Sequence, residues 1–259
     1  MEYGFIGCGN MGGALARAVS RAVGAQNMYL SGGAGDRAKN LATELGANFS
    51  SNENIAATCH MIFLGVKPYL VKEVLAPIAQ DIIRRKVCVV SMAAGVSLAE
   101  LESAVPGCPV VRIMPNTPVA SGSGVTLYCA NAAGEAYEKH LLFALSNSGI
   151  ADKIEEKLFD AATALSGCGP AFVYMFMEAL ADGAVACGLP RQKAMLYAAA
   201  TLKGAAEHAV HSDEHPGALK DAVCSPGGST IEGVLALENG GFRSAAAQAV
   251  RAAYKKIVG

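Results

Sequence analysis

Gly7-Cys8-Gly9-Asn10-Met11-Gly12 follows a short apolar run directly and opens a stretch with helical spacing. In that context the first glycine permits a tight turn and the second lets backbone approach a pyrophosphate. The third lets helix pack closely on strand, with phosphate at the helix N-terminus. Far along the chain stands Ser225-Pro226-Gly227-Gly228-Ser229-Thr230. There Pro226 ends one helix, two glycines expose backbone N–H groups, and Ser229 precedes Glu232 by the spacing of a capping box. Free N–H groups and the dipole at such a helix start attract a carboxylate, although turn and cap alone explain the same residues. The first motif suits a dinucleotide and the second a small anion.

Cofactor choice is set about 20 residues past the fingerprint, where Asp or Glu selects the ribose 2′-hydroxyl of NAD. Here Leu30-Ser31-Gly32 carries no acid, and Arg37 and Lys39 lie just beyond, placed for a 2′-phosphate. NADPH is therefore the expected donor, with NADH left open. Asp36 could cap the next helix or turn toward the ribose, and the two basic residues could equally decorate a solvated face. Val66-Lys67-Pro68 and Ala93-Ala94-Gly95 each follow a strand at the carboxyl edge, where doubly wound folds bind ligands; each alone is an ordinary loop. Lys67 could face the cofactor or simply mark the strand end before Pro68. Asp213, just ahead of His215-Pro216, could orient substrate or water near the 225–230 turn but reads first as a solvated loop acid, and His60, His140, His208, His211 and His215 have no partner at nucleophile or metal spacing, so no metal is expected.

The elements that must position these residues alternate through the first part of the chain. Strands are expected at 2–6, 27–30, 61–66, 86–91, 109–114 and 125–129, and helices at 10–23, 36–45, 69–84 and 97–104. Gly24 and Gly46 stand at left-handed cap positions, and Ser97 with Glu100 makes a capping box. After Ile154 the strand signal disappears, leaving helices at 155–165, 170–187, 191–210, 216–223, 230–238 and 242–257. The expected fold is α/β: a Rossmann-like dinucleotide-binding domain with a mostly parallel sheet over 1–154, and an all-α substrate-binding and dimerisation domain over 155–259. The helices of the second domain are Ala-rich and apolar on more than one face, more surface than roughly 100 residues can hide, so a dimer through this domain is expected.

The 259 residues, 52% hydrophobic, fill a substantial core. A net charge of -1 and a pI near 6.5, with no dense Lys/Arg run, make nucleic acid a poor partner. The eight cysteines form no C-x-x-C pair and read as structural thiols of a reducing cytosol, so a cytoplasmic enzyme is expected. The first apolar run leaves no room for a basic leader, and the apolar 170–189 stretch carries Glu178 and Asp182, which argues against a membrane span.

The chain resembles the pyrroline-5-carboxylate reductases. Beside the glycine fingerprint and Val66-Lys67-Pro68, it carries Arg112-Ile113-Met114-Pro115-Asn116-Thr117-Pro118 and Thr163-Ala164-Leu165-Ser166-Gly167-Cys168-Gly169-Pro170-Ala171. Asp221-Ala222-Val223-Cys224-Ser225-Pro226-Gly227-Gly228-Ser229-Thr230 follows, in the order of that family. The resemblance implies NAD(P)H-dependent reduction of 1-pyrroline-5-carboxylate to L-proline, the last step of proline synthesis. It further implies a cytoplasmic enzyme with an intertwined dimer, the dimers arranged in a ring. The dinucleotide would lie along Ile6, Gly7, Cys8, Gly9, Asn10 and Met11, beside Ser31, Arg37 and Asn52. It would pass under Val66-Lys67-Pro68 and next to Ala93-Ala94-Gly95 and Asn116. Cys168 and Phe172 depart from the usual Ser and Tyr, each removing a hydroxyl.

A cyclic imine bearing a carboxylate needs its anion held, its carbon presented to hydride and its nitrogen kept protonated. Ser225, Gly227, Gly228 and Ser229 are the expected carboxylate contacts, and the Thr230 hydroxyl the group that hydrogen-bonds the ring nitrogen and helps deliver its proton. Two rivals remain. A β-hydroxyacid dehydrogenase would need a Lys and a nearby Asn on the 170–187 helix, which has neither. A non-catalytic dinucleotide sensor would have no reason to keep the 225–230 turn.

Overall fold

Apolar residues on alternate positions of four short strands face two separate cores, because successive side chains of a strand point to opposite sides. In the computed structural model, which describes residues 1–33 and 35–259, the elements run as follows. The order is β1 (Tyr3–Ile6), α1 (Asn10–Val23), β2 (Met28–Ser31), α2 (Arg37–Leu45), β3 (Asn48–Phe49), α3 (Asn52–Thr58), β4 (Met61–Leu64), α4 (Val71–Leu75), α5 (Ala79–Arg85), β5 (Cys88–Ser91), α6 (Leu98–Ala104), β6 (Val110–Pro115), β7 (Gly124–Ala130), α7 (Glu138–Leu145) and β8 (Gly149–Lys153). Helices follow: α8 (Phe159–Ser166), α9 (Gly169–Ala186), α10 (Arg191–Val210), α11 (Pro216–Ala222), α12 (Ser229–Asn239) and α13 (Phe242–Val258).

The sheet order is β3-β2-β1-β4-β5-β6-β7-β8. The first six strands are parallel; β7 runs antiparallel to β6, and β8 lies parallel to β7. Tyr3, Phe5, Met61 and Phe63 pack toward α1 and α7, where Phe5 and Phe63 stack with ring centroids 4.6 Å apart. Ile6, Ile62, Leu64 and Val89 pack toward α3, α5 and α6. Helices thus cover both faces, which is why the central strands are apolar throughout rather than alternating with polar residues.

Several elements differ from the sequence expectation. The helix expected at 69–84 is two, α4 and α5, because Pro77 between them lacks an N–H and clashes with the preceding turn. β3, α3 and β8 are too short, and α7, whose apolar residues form one run from Leu141 to Leu145, too uneven, to register as periodic segments. Gly24 has φ 80 and ψ 128, so it turns the chain into extended backbone rather than the left-handed cap expected of it; Gly46, at φ 73 and ψ 28, is such a cap. The Ser97–Glu100 capping box forms in both directions.

The chain divides into one unit of Met1–Gly167 with Ile257–Gly259 and another of Cys168–Lys256. The division falls after Gly167, not after Ile154 where the strand signal stops, because α8 packs on the sheet. Its Phe159 is fully buried with Leu127 and Cys129. Within the second unit, α9 and α10 pair through Ala181, Ala194 and Ala198, small residues that let two helices approach closely. That contact leaves Met175 71%, Leu196 63% and Val210 70% exposed.

Candidate dinucleotide and anion sites

Gly7 sits at φ +98, where a side chain is strained, and its amide donates to the Ser31 carbonyl at 3.0 Å. A Cβ on Gly12 would lie 2.1 Å from the Gly7 carbonyl oxygen, and one on Gly65 2.4 Å from the same atom. Three glycines therefore meet at one point, and α1 sits against the β1 and β4 ends only because none of them has a side chain. Gly65 was not singled out from the sequence; its one signal was a glycine closing an apolar strand. Gly9 is different: a Cβ there would meet nothing within 4 Å. It is also the N-cap of α1, with no side-chain cap, so the first-turn N–H groups face open space, as an anion site requires.

Around this turn lies a depression of about 450 Å³ bordered by Gly9, Asn10, Met11, Arg37, Gly65, Val66, Lys67, Pro68, Met92 and Ala94. Gly9 and Arg37 also border two neighbouring depressions, one along Asn10 and Asn40 and one along Gly7, Cys8, Gly32 and Gly33. The expected residues of the fingerprint, the 66–68 loop and the 93–95 loop thus come together along one edge of the sheet. Arg17, which also borders the groove, is paired with Glu44 at 2.7 Å, and that hydrogen bond holds the Glu44 carboxyl below the usual carboxylate range. Among the described residues Arg37 takes part in no ion pair, so a cation stands free at the junction of the three depressions. Lys39 borders none of them, and Asp36 is the N-cap of α2 without a side-chain cap bond.

Cys8 contributes backbone rather than chemistry: it is buried, and burial pushes its thiol up to about 12. Ser31 is buried and its hydroxyl donates to Asn52 Oδ1 at 2.6 Å, tying the β2 end to the start of α3. Lys67 takes the extended conformation that a following proline imposes. Asn116 is largely committed to the protein: its Nδ2 donates to the Ser166 carbonyl at 3.0 Å and its Oδ1 accepts from the Val125 amide at 2.9 Å. Among the described residues no group of three or more His, Cys, Asp or Glu side chains is placed to hold a metal.

In the second unit the 225–230 turn differs from the expected capping box. Gly228, not the residue before Thr230, is the N-cap of α12, and Ser229 is already its first helical residue. The cause is local. Gly227 at φ +69 turns the chain, the Gly228 amide bonds back to the Ser225 carbonyl at 3.0 Å, and a Cβ on Gly228 would lie 2.3 Å from Ser225 Oγ. Helix entry therefore shifts by one residue, no side chain caps it, and the Ser229 and Thr230 hydroxyls stay exposed and without a side-chain hydrogen bond among the described residues. Pro226 lies beyond the preceding helix, which stops at Ala222. His215 caps α11, its Nδ1 accepting from the Gly217 amide at 3.0 Å.

Residues 156–258 match the pyrroline-5-carboxylate reductase dimerisation family, and residues 2–95 match the NADP oxidoreductase coenzyme F420-dependent family. The pyrroline-5-carboxylate reductase of Pisum sativum is 40% identical over 98% of this chain and 93% of its own length. The Homo sapiens pyrroline-5-carboxylate reductase 2 is 40% identical over 97% of this chain and 81% of its own. Among solved structures, the Plasmodium falciparum pyrroline carboxylate reductase with NADP bound superposes with a TM-score of 0.88 at 35% identity, covering 99% of this chain and 97% of that one. The Coxiella burnetii pyrroline-5-carboxylate reductase gives 0.89 at 28% identity, covering 99% and 97%. With its glycine cradle, its helical unit and full-length relatives all agreeing, the chain belongs to the pyrroline-5-carboxylate reductase family.

Proposed function

We infer that this protein reduces 1-pyrroline-5-carboxylate to L-proline with NADPH, the last step of proline biosynthesis. The observation that carries this is family membership over nearly the full chain, so that hydride-donor unit and helical unit match the same enzymes. The open N-terminus of α1 beneath Gly9 fits the pyrophosphate, and Arg37, which takes part in no ion pair among the described residues, fits the 2′-phosphate. Cys8, Asn10, Met11, Val66, Lys67, Pro68 and Ala94 border the same depressions, and we assign Ile6, Ser31, Asn52, Ala93, Gly95 and Asn116 to the dinucleotide with them.

When bound, NADPH supplies the hydride that adds to the imine carbon. The protein holds the reactants and manages charge. Ser225, Ser229 and the amides of Gly227 and Gly228 hold the substrate carboxylate at the uncapped start of α12. The Thr230 hydroxyl hydrogen-bonds the ring nitrogen and helps pass to it a proton drawn from water, which with the hydride completes the conversion of C=N to the amine. A homodimer forms through the helical unit, and its dimers build a ring. The stretch Glu156–Ala186 is long and apolar enough to cross a membrane by length and composition alone. We assign its exposed face to subunit contact instead, because it falls in the dimerisation match, and place the enzyme in the cytoplasm.

Purified protein with NADPH and pyrroline-5-carboxylate should lose nicotinamide absorbance only when both are present. Tight NADPH binding without turnover would leave the sensor reading standing instead. Arg37→Ala should raise KM for NADPH by about tenfold or more, the scale of a lost hydrogen bond to a charged group, and leave KM for NADH almost unmoved. Equal losses with the two cofactors would refute the phosphate contact.

A further inference from the structure

The turn that borders the dinucleotide groove at Met92 and Ala94 is held from outside by a carboxylate. Past that turn, the Ser97–Glu100 box satisfies the amides of Ser97 and Glu100 at the start of α6. It leaves the amide of Leu98, the first helical residue, without an intrahelical acceptor. Glu156 supplies one from far along the chain, its Oε1 accepting from the Leu98 amide at 2.7 Å. The same oxygen accepts from Arg112 Nη1 at 3.2 Å, and Arg112 Nη2 reaches Asp160 Oδ1 at 3.4 Å. Arg112 is 5% exposed, its guanidinium lies 4.4 Å from the Phe159 ring centroid, and its Nε has no hydrogen-bond partner among the described residues. A cation buried in this way depends on the two carboxylates for its compensation.

One oxygen thus joins three pieces: the start of α6 with the turn before it, strand β6, and the segment that leads into α8. We propose that Glu156 is a positioning residue for the dinucleotide, holding the 92–97 turn in the shape that NADPH requires while touching no ligand itself. The proposal rests on the groove being the NADPH site. Among the described residues Asp160 bonds Arg112 and not Leu98, so the two acids separate a general structural effect from a positioning one.

The test is NADPH affinity, read by cofactor fluorescence, together with steady-state kinetics on the full-length enzyme. Glu156→Asp keeps the charge near Arg112 but is one methylene too short for Leu98. It should weaken NADPH by about tenfold, the scale of one charge-assisted hydrogen bond, with kcat at saturating NADPH and KM for the imine near wild type. Glu156→Gln, whose amide oxygen still accepts from Leu98, should recover most of the affinity. Asp160→Asn should lower the melting temperature and leave NADPH affinity unchanged. Wild-type affinity in Glu156→Asp, or an equal loss in Asp160→Asn, overturns the proposal. Wild-type protein that binds no NADPH overturns the reading of the groove itself.

Discussion

Thr230→Ala is expected to lower kcat/KM for pyrroline-5-carboxylate by about 10²–10³-fold, the range for removing one acid or one donor aimed at the reacting centre. The residue is the second of α12, one past the helix start that Gly228 caps, and it is exposed and its hydroxyl makes no side-chain hydrogen bond among the described residues. Nothing in the fold therefore needs the hydroxyl, and its loss should leave the melting temperature within a degree or two of wild type by the usual modest effect of surface substitutions. Thr230→Ser, which keeps the donor, should retain most of the rate. A Thr230→Ala enzyme with full kcat and KM would remove this residue from the mechanism and leave carboxylate binding as the turn's only task.

Gly12→Ala and Gly9→Ala should fail in opposite ways. At Gly12 the new methyl would stand 2.1 Å from the Gly7 carbonyl oxygen and 3.2 Å from its carbon, both backbone atoms that cannot swing aside. α1 must then shift from the sheet, at a cost of about 1–3 kcal/mol for overpacking a filled interface, so both melting temperature and NADPH affinity fall. At Gly9, with φ -72, an L side chain is permitted and the space around it is empty of protein. Stability should hold there, while the methyl enters the volume assigned to the pyrophosphate and NADPH affinity drops by about tenfold or more, the scale of the displaced charge-assisted bonds. Differential scanning fluorimetry with and without NADPH separates the two. Normal NADPH affinity in Gly9→Ala would show that the fingerprint serves packing alone.

These contrasts mark how far the chain can be read before it is folded. The spacing of Gly7, Gly9 and Gly12 after an apolar strand announces the cradle because the need for a tight turn, a close approach and a close packing is local. The spacing cannot say that Gly65 is the third member of the contact, since its partner lies across a strand pair. Likewise Ser229 and Glu232 have the spacing of a capping box, yet the positive φ of Gly227 and the bond from Gly228 to Ser225 move the helix start by one residue and leave two hydroxyls unused. Arg37 is legible as a basic residue past the second strand; that Arg17 is neutralised by Glu44 while Arg37 has no ion pair among the described residues depends on how α1 and α2 pack.

By itself the sequence determined the alternation of strand and helix, the switch to helices alone, the glycine turn at 7–12 and the existence of a glycine turn at 227–228, because each follows from side-chain period and backbone freedom within a few residues. Only the tertiary structure decided that α8 belongs with the sheet, that Asn116 is tied to Ser166, and that Glu156 reaches Leu98. Those contacts join residues tens of positions apart. Their formation depends on the register and packing of the whole sheet, which no local pattern encodes.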